Sequence, residues 1–150
     1  MKFYIDYDSH LEQKQLIYRK DEYSFDMTPY IYEMDFDIAI NTITLTVVDS
    51  KVVQLSGFCG LPDKSKMSYE VPYAKKGLLK VLHSEAYIGG VGSYSINKED
   101  WAVSINSKTG WICIGDPQRR GNAVEFINKC ISIINERQEL VALWLHPCFV

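Results

Sequence analysis

The chain has 150 residues, a formal net charge of -3, and 47% hydrophobic against 23% charged residues. That length suffices for one domain with a real core, and the composition excludes a disordered segment, which would be less apolar and more highly charged. The balance of charge speaks against a nucleic-acid binder, and the longest apolar run, Leu140 to Leu145, is too short to span a bilayer.

Phe3 to Tyr7 reads as a short strand, and residues 8–36 as a polar, acidic, tyrosine-rich loop with short ordered pieces. The stretch Ile38 to Val48 follows, with Ile43, Leu45 and Val47 alternating with Thr42, Thr44 and Thr46, the period of a half-buried strand. Asp49-Ser50-Lys51 turns the chain, and Val52, Val53 and Leu55 return it to Gly57 as a hairpin. Gly60 to Lys66 is a loop, Tyr69 to Tyr73 is extended with Pro72 confining it to an edge, and Gly77 to Leu82 is a further strand. Gly89-Gly90-Val91-Gly92 is a turn. It lacks the lysine and Ser/Thr of a phosphate loop, and no helix pattern follows it. Asp100 to Ile105 and Trp111 to Gly115 pair as a second hairpin across Asn106–Gly110. After Gly121 the apolar positions Ala123, Phe126, Ile127, Cys130, Ile131 and Ile134 fit helical spacing, while Ile131 and Ile133 also alternate. The reading taken is a short helix over 122–129, a strand from about 130, a loop at 134–139, and a final strand. Leu140 to Leu145 is apolar at every position and is expected in the centre of a sheet with both faces covered. The sum is a single domain over residues 1–150, α+β in class: mainly antiparallel β hairpins forming a sheet, with one or two short helices.

Chemistry is sparse. The histidines His10, His83 and His146 and the cysteines Cys59, Cys113, Cys130 and Cys148 show no metal-ligand spacing, so no metal, cofactor or catalytic residue is expected. Each cysteine sits among apolar neighbours and reads as a packed, reduced thiol. A Cys148–His146 nucleophilic pair assembled in three dimensions stays as the enzyme alternative. The start of the chain has no apolar stretch of secretory type, so a cytoplasmic location is expected.

The charge is unevenly spread. Residues 1–50 hold ten acids against four bases, and six of the ten tyrosines (Tyr4, Tyr7, Tyr18, Tyr23, Tyr30, Tyr32) lie there too. Tyrosine offers rigid contact area with a polar tip, and neighbouring carboxylates suit a basic protein partner. The bland alternative is a solvated acidic edge with tyrosines capping a sheet. The candidate binding residues are Asp21, Glu22, Tyr23, Asp26, Tyr30, Tyr32, Glu33, Asp35 and Asp37. The pair Asp35 and Asp37 also reads as an edge-blocking device.

Trp111 to Gly115, Ala123 to Asn128 and above all Glu139 to Pro147, with Val53 to Gly57 and the Val71-Pro72 to Leu79 spacing, resemble a family of bacterial immunity proteins of contact-dependent growth inhibition systems. The resemblance covers about the last two-thirds of the chain, and its motif residues are apolar, so it speaks for a fold. It implies a cytoplasmic antidote, monomeric when free, that binds the basic C-terminal domain of a cognate toxin, commonly a nuclease. Such a protein blocks the toxin's active site or substrate access. The resemblance carries over no catalytic residue, no membrane contact and no nucleic-acid contact. A self-associating structural or regulatory module is the second alternative.

Overall fold

Alternation of apolar and polar residues builds nearly every element of the chain. The computed structural model describes residues 1–11, 14–62, 67–82 and 92–150. The Gly89–Val91 part of the glycine turn, His83, and Asp63 to Lys66 of the first loop lie outside the described residues. Fifteen strands follow in order: β1 (Lys2–Asp6), β2 (Gln15–Arg19), β3 (Ser24–Thr28), β4 (Phe36–Ile40), β5 (Ile43–Val48), β6 (Lys51–Phe58), β7 (Lys75–Lys76), β8 (Leu78–Leu82), β9 (Ser93–Ser95), β10 (Val103–Ile105), β11 (Ile112–Gly115), β12 (Asn122–Ile127), β13 (Cys130–Ile134), β14 (Leu140–Leu145) and β15 (Cys148–Phe149). Among the described residues no segment is helical, and no helix is long and apolar enough to cross a membrane.

The α+β expectation is therefore corrected to all-β. The stretch 122–129 is β12, paired antiparallel with β13, and the hairpin turns at Lys129 with φ 64°. Its helical spacing comes from a bulge between Glu125 and Ile127. The bulge shifts the inward phase by one residue, so Val124, Phe126, Ile127 and Cys130 all reach the core.

Two mixed sheets pack face to face. The first runs β15-β2-β3-β6-β5-β4-β9, with β8 attached to β6 and β1 to β8. Along β6, Gly57 and Phe58 pair with β3 at one end, while Lys51 pairs with β8 at the other. The second sheet runs β10-β11-β14-β13-β12-β7. One core fills the space between them, with Ile38, Leu45 and Leu55 from the first sheet against Ile114, Phe126 and Leu143 from the second. A smaller cluster covers the opposite face of the second sheet, where Met67, Val71 and Ala74 pack over Ile131, Ile133 and Trp144. That explains the unbroken apolar run of β14, which is flanked by β11 and β13 and covered on both faces.

The chain passes from the second sheet to the first through Gly77. A Cβ there would lie 2.8 Å from the Asp6 carbonyl oxygen and 2.9 Å from Val124 Cγ2, so only glycine allows the approach.

Candidate functional site

The outward face of the first sheet is polar because its strands alternate. Ile38, Leu45 and Leu55 point to the core, which leaves Asp37, Thr44, Thr46 and Ser56 on the other side. Residues 29–35 leave β3 and cross this face as a strap before entering β4. Gln54, fully buried, holds the strap by pairing with the backbone of Ile31: its Oε1 accepts from Ile31 N at 2.7 Å and its Nε2 donates to Ile31 O at 3.0 Å. The chain thus gains a strand-like pairing from a side chain.

The strap presents aromatic rings to solvent. Tyr32 is 90% exposed and Tyr30 46%, and their rings meet edge to face at 4.9 Å. Tyr30, Tyr32, Glu33 and Asp37 border one hollow of about 320 Å³, whose floor is Thr44, Thr46 and Ser56. Burial pushes the Asp37 carboxyl above its usual range, and a hydrogen bond with Thr46 opposes the shift.

The nine nominated residues do not form one patch. Asp35 turns away into the scaffold: its Oδ2 accepts from Asp49 N at 2.8 Å, closing the β5–β6 turn. Asp26 forms an ion pair with Arg19 at 3.6 Å and accepts from Met27 N at 2.8 Å. Asp21, Glu22 and Tyr23 are exposed in the β2–β3 turn, at the far end of β3 from the strap. At about 3.3 Å per residue, the five residues of β3 put roughly 16 Å between the two groups. Only Tyr30, Tyr32, Glu33 and Asp37 share a site.

The tyrosines divide in the same way. Tyr7 donates to the Ala123 carbonyl at 3.0 Å, and buried Tyr18 donates to the Cys59 carbonyl at 2.7 Å. Tyr4 lies under the Lys80 ammonium. Tyr23, Tyr30 and Tyr32 make no hydroxyl bond to any described residue.

Among the described residues no three His, Cys, Asp or Glu side chains group as metal ligands. His146 rests its ring on Trp111 at 5.0 Å, and its Nε2 bonds the Thr109 carbonyl at 2.9 Å. It shares a hollow of about 240 Å³ with Cys148, but the two side chains form no hydrogen bond. Three cysteines are buried, as expected from their apolar neighbours, whereas Cys148 is exposed. The correction follows from the shortness of β15, a two-residue edge strand with no layer above it.

A second hollow, of about 640 Å³, opens on the second sheet and is lined by Tyr69, Trp101, Arg119 and Val141 among others. Sequence reading missed it, because its lining comes from four separate segments, 67–69, 101–104, 115–119 and 141, that only the topology joins. No protein-family model, no curated protein and no solved structure matches this chain.

Proposed function

We propose that the chain is an immunity protein, which neutralises a toxin by seating the toxin's basic C-terminal domain on the strap-bearing end of the first sheet. The observation that carries this reading is the strap itself: two exposed tyrosine rings beside two carboxylates that make no ion pair with any described residue, on a segment pinned at Gln54. Anchors held in place before binding lose little freedom on association. Tyrosines commonly dominate interface energies, and surrounding carboxylates speed the encounter with a cationic partner. A nuclease surface made to hold a polyanion is such a partner. The antidote acts in the cytoplasm as a monomer, with no cofactor. Four of the five sheet edges among the described residues, β7, β9, β10 and β15, are strands of only two or three residues, a length that discourages sheet-to-sheet association, and the fifth, the five-residue β1, spends its Phe3 N–H on the Gln138 carbonyl.

The test is a titration with the C-terminal domain of the exported protein encoded immediately upstream. The expected result is tight binding that weakens with salt. The Tyr32→Ala, Glu33→Lys double variant should lose about tenfold or more in affinity and show a shallower salt dependence. Unchanged affinity in that variant would move the interface off the strap. Failure of any basic domain to bind would remove the immunity reading.

A further inference from the structure

The cleft on the second sheet is independent of the strap and built differently. Its volume, about 640 Å³, lies in the range of small-molecule sites. Trp101 and Tyr69 both line it together with Val141, and the exposed Arg119 borders it.

Each aromatic residue is fixed by polar contacts to another element. Asn41, in the β4–β5 turn, grips the Trp101 backbone: its Oδ1 accepts from Trp101 N at 2.8 Å and its Nδ2 donates to Trp101 O at 2.9 Å. Asn97 Nδ2 donates to the same Oδ1 at 2.7 Å and holds the asparagine in place. The Tyr69 carbonyl accepts from Asn106 Nδ2 at 3.4 Å, and its hydroxyl meets Gln118 Nε2. The rim loop is closed by Arg119 N donating to the Asp116 carbonyl at 3.0 Å. The cleft is therefore formed before any ligand arrives.

Two opposite charges stand at the rim. The Asp116 carboxylate keeps its charge but is held toward its own loop by accepting from Gln118 N at 2.9 Å, and it makes no ion pair with Arg119. The Arg119 guanidinium is exposed and makes no ion pair or hydrogen bond with a described residue. An apolar, aromatic-lined cleft with one free guanidinium suits a ligand with an apolar body and a single anionic head.

We infer that this cleft binds a small amphipathic carboxylic acid, its ring or branched chain against Trp101 and Tyr69 and its carboxylate on Arg119. The inference stands apart from the strap and from any protein partner.

The test is a titration of the full chain, followed by calorimetry and amide chemical shifts, with 4-phenylbutanoate and with its neutral amide. The expected result is saturable one-to-one binding of the acid at millimolar concentration or below, with the amide weaker. Arg119→Ala should weaken the acid about tenfold, the size of one charge-assisted contact, and leave the amide nearly unchanged. Ala102→Trp, which fills the cleft from an exposed position, should abolish both. Both changes fall on exposed residues, and wild-type melting curves verify that the variants are folded. The inference is overturned if neither probe saturates, if the amide binds as well as the acid, or if both variants bind as the wild type does.

Discussion

Lys14 is 9% exposed, and its Nζ makes no hydrogen bond with a described residue. Burial lowers its pKa, because leaving water penalises the charged form. A folded-state pKa below the unfolded one means that the unfolded chain binds more protons. The residue therefore costs stability at neutral pH, and the cost fades as pH rises toward the ordinary lysine value of 10.5. Lys14→Met should raise stability by about 1 kcal/mol at neutral pH. The gain should shrink as the folded-state lysine deprotonates, between its lowered pKa and 10.5, which urea melts across that range would measure. Asp37 is a second residue held at a cost, since burial raises its carboxyl pKa even with Thr46 beside it. Tyr23 is a third, with φ 53° where glycine or asparagine is easier and with its ring 61% exposed.

Strands were legible where alternation was long and unbroken. The β5–β6 hairpin, the β10–β11 hairpin and the strands at 130 and 140 were all readable from period two. The Asp49-Ser50 turn carries positive φ at both residues, the geometry that matches strand twist. Other elements were hidden by particular residues. Ile38 to Val48 read as one strand, yet Asn41, at φ 54°, splits it into β4 and β5. Leu16 with Tyr18 and Phe25 with Met27 do alternate inward, but each run is short and flanked by charge, so β2 and β3 read as loop. Of the site, the strap tyrosines were visible as composition. That Asp35 and Asp26 serve the scaffold was not, because their partners Asp49 and Arg19 are set by tertiary pairing. The strands also sort the thiols. Cys113 and Cys130 lie in the interior of the second sheet and Cys59 just past β6. Burial pushes Cys59 to about 11 and Cys113 to about 12, and raises Cys130 as well. A thiol reagent at neutral pH should label Cys148 quickly and the other three only on unfolding. Fast labelling of more than one thiol would contradict this burial.

At the level of the whole molecule, the two sheets are tied where distant parts of the chain meet. Phe3 N donates to the Gln138 carbonyl at 2.8 Å, joining β1 to the β13–β14 turn. Gly77 makes the one-residue step between sheets. On the outer side of β2, the pair Cys148 and Phe149 lies parallel to Ile17 and Tyr18. Val150 N donates to the Tyr18 carbonyl at 3.0 Å, and the rings of Tyr18 and Phe149 meet at 5.7 Å. Removal of residues 148–150 should cost roughly 2 kcal/mol, from one aromatic pair and a few backbone bonds. It should also make the protein associate with itself as concentration rises, which sedimentation would detect; a monomer of unchanged stability would argue against any role for β15.

The same pairing bears on the order in which the protein is made. A ribosome delivers β2 among the first strands and its edge partner after more than a hundred further residues. Until then the side of β2 facing away from β3 is open to any other strand, including one from a second nascent chain. The first sheet is complete only once residues 148–149 have emerged. A chain halted before those residues is therefore a candidate for aggregation or proteolysis.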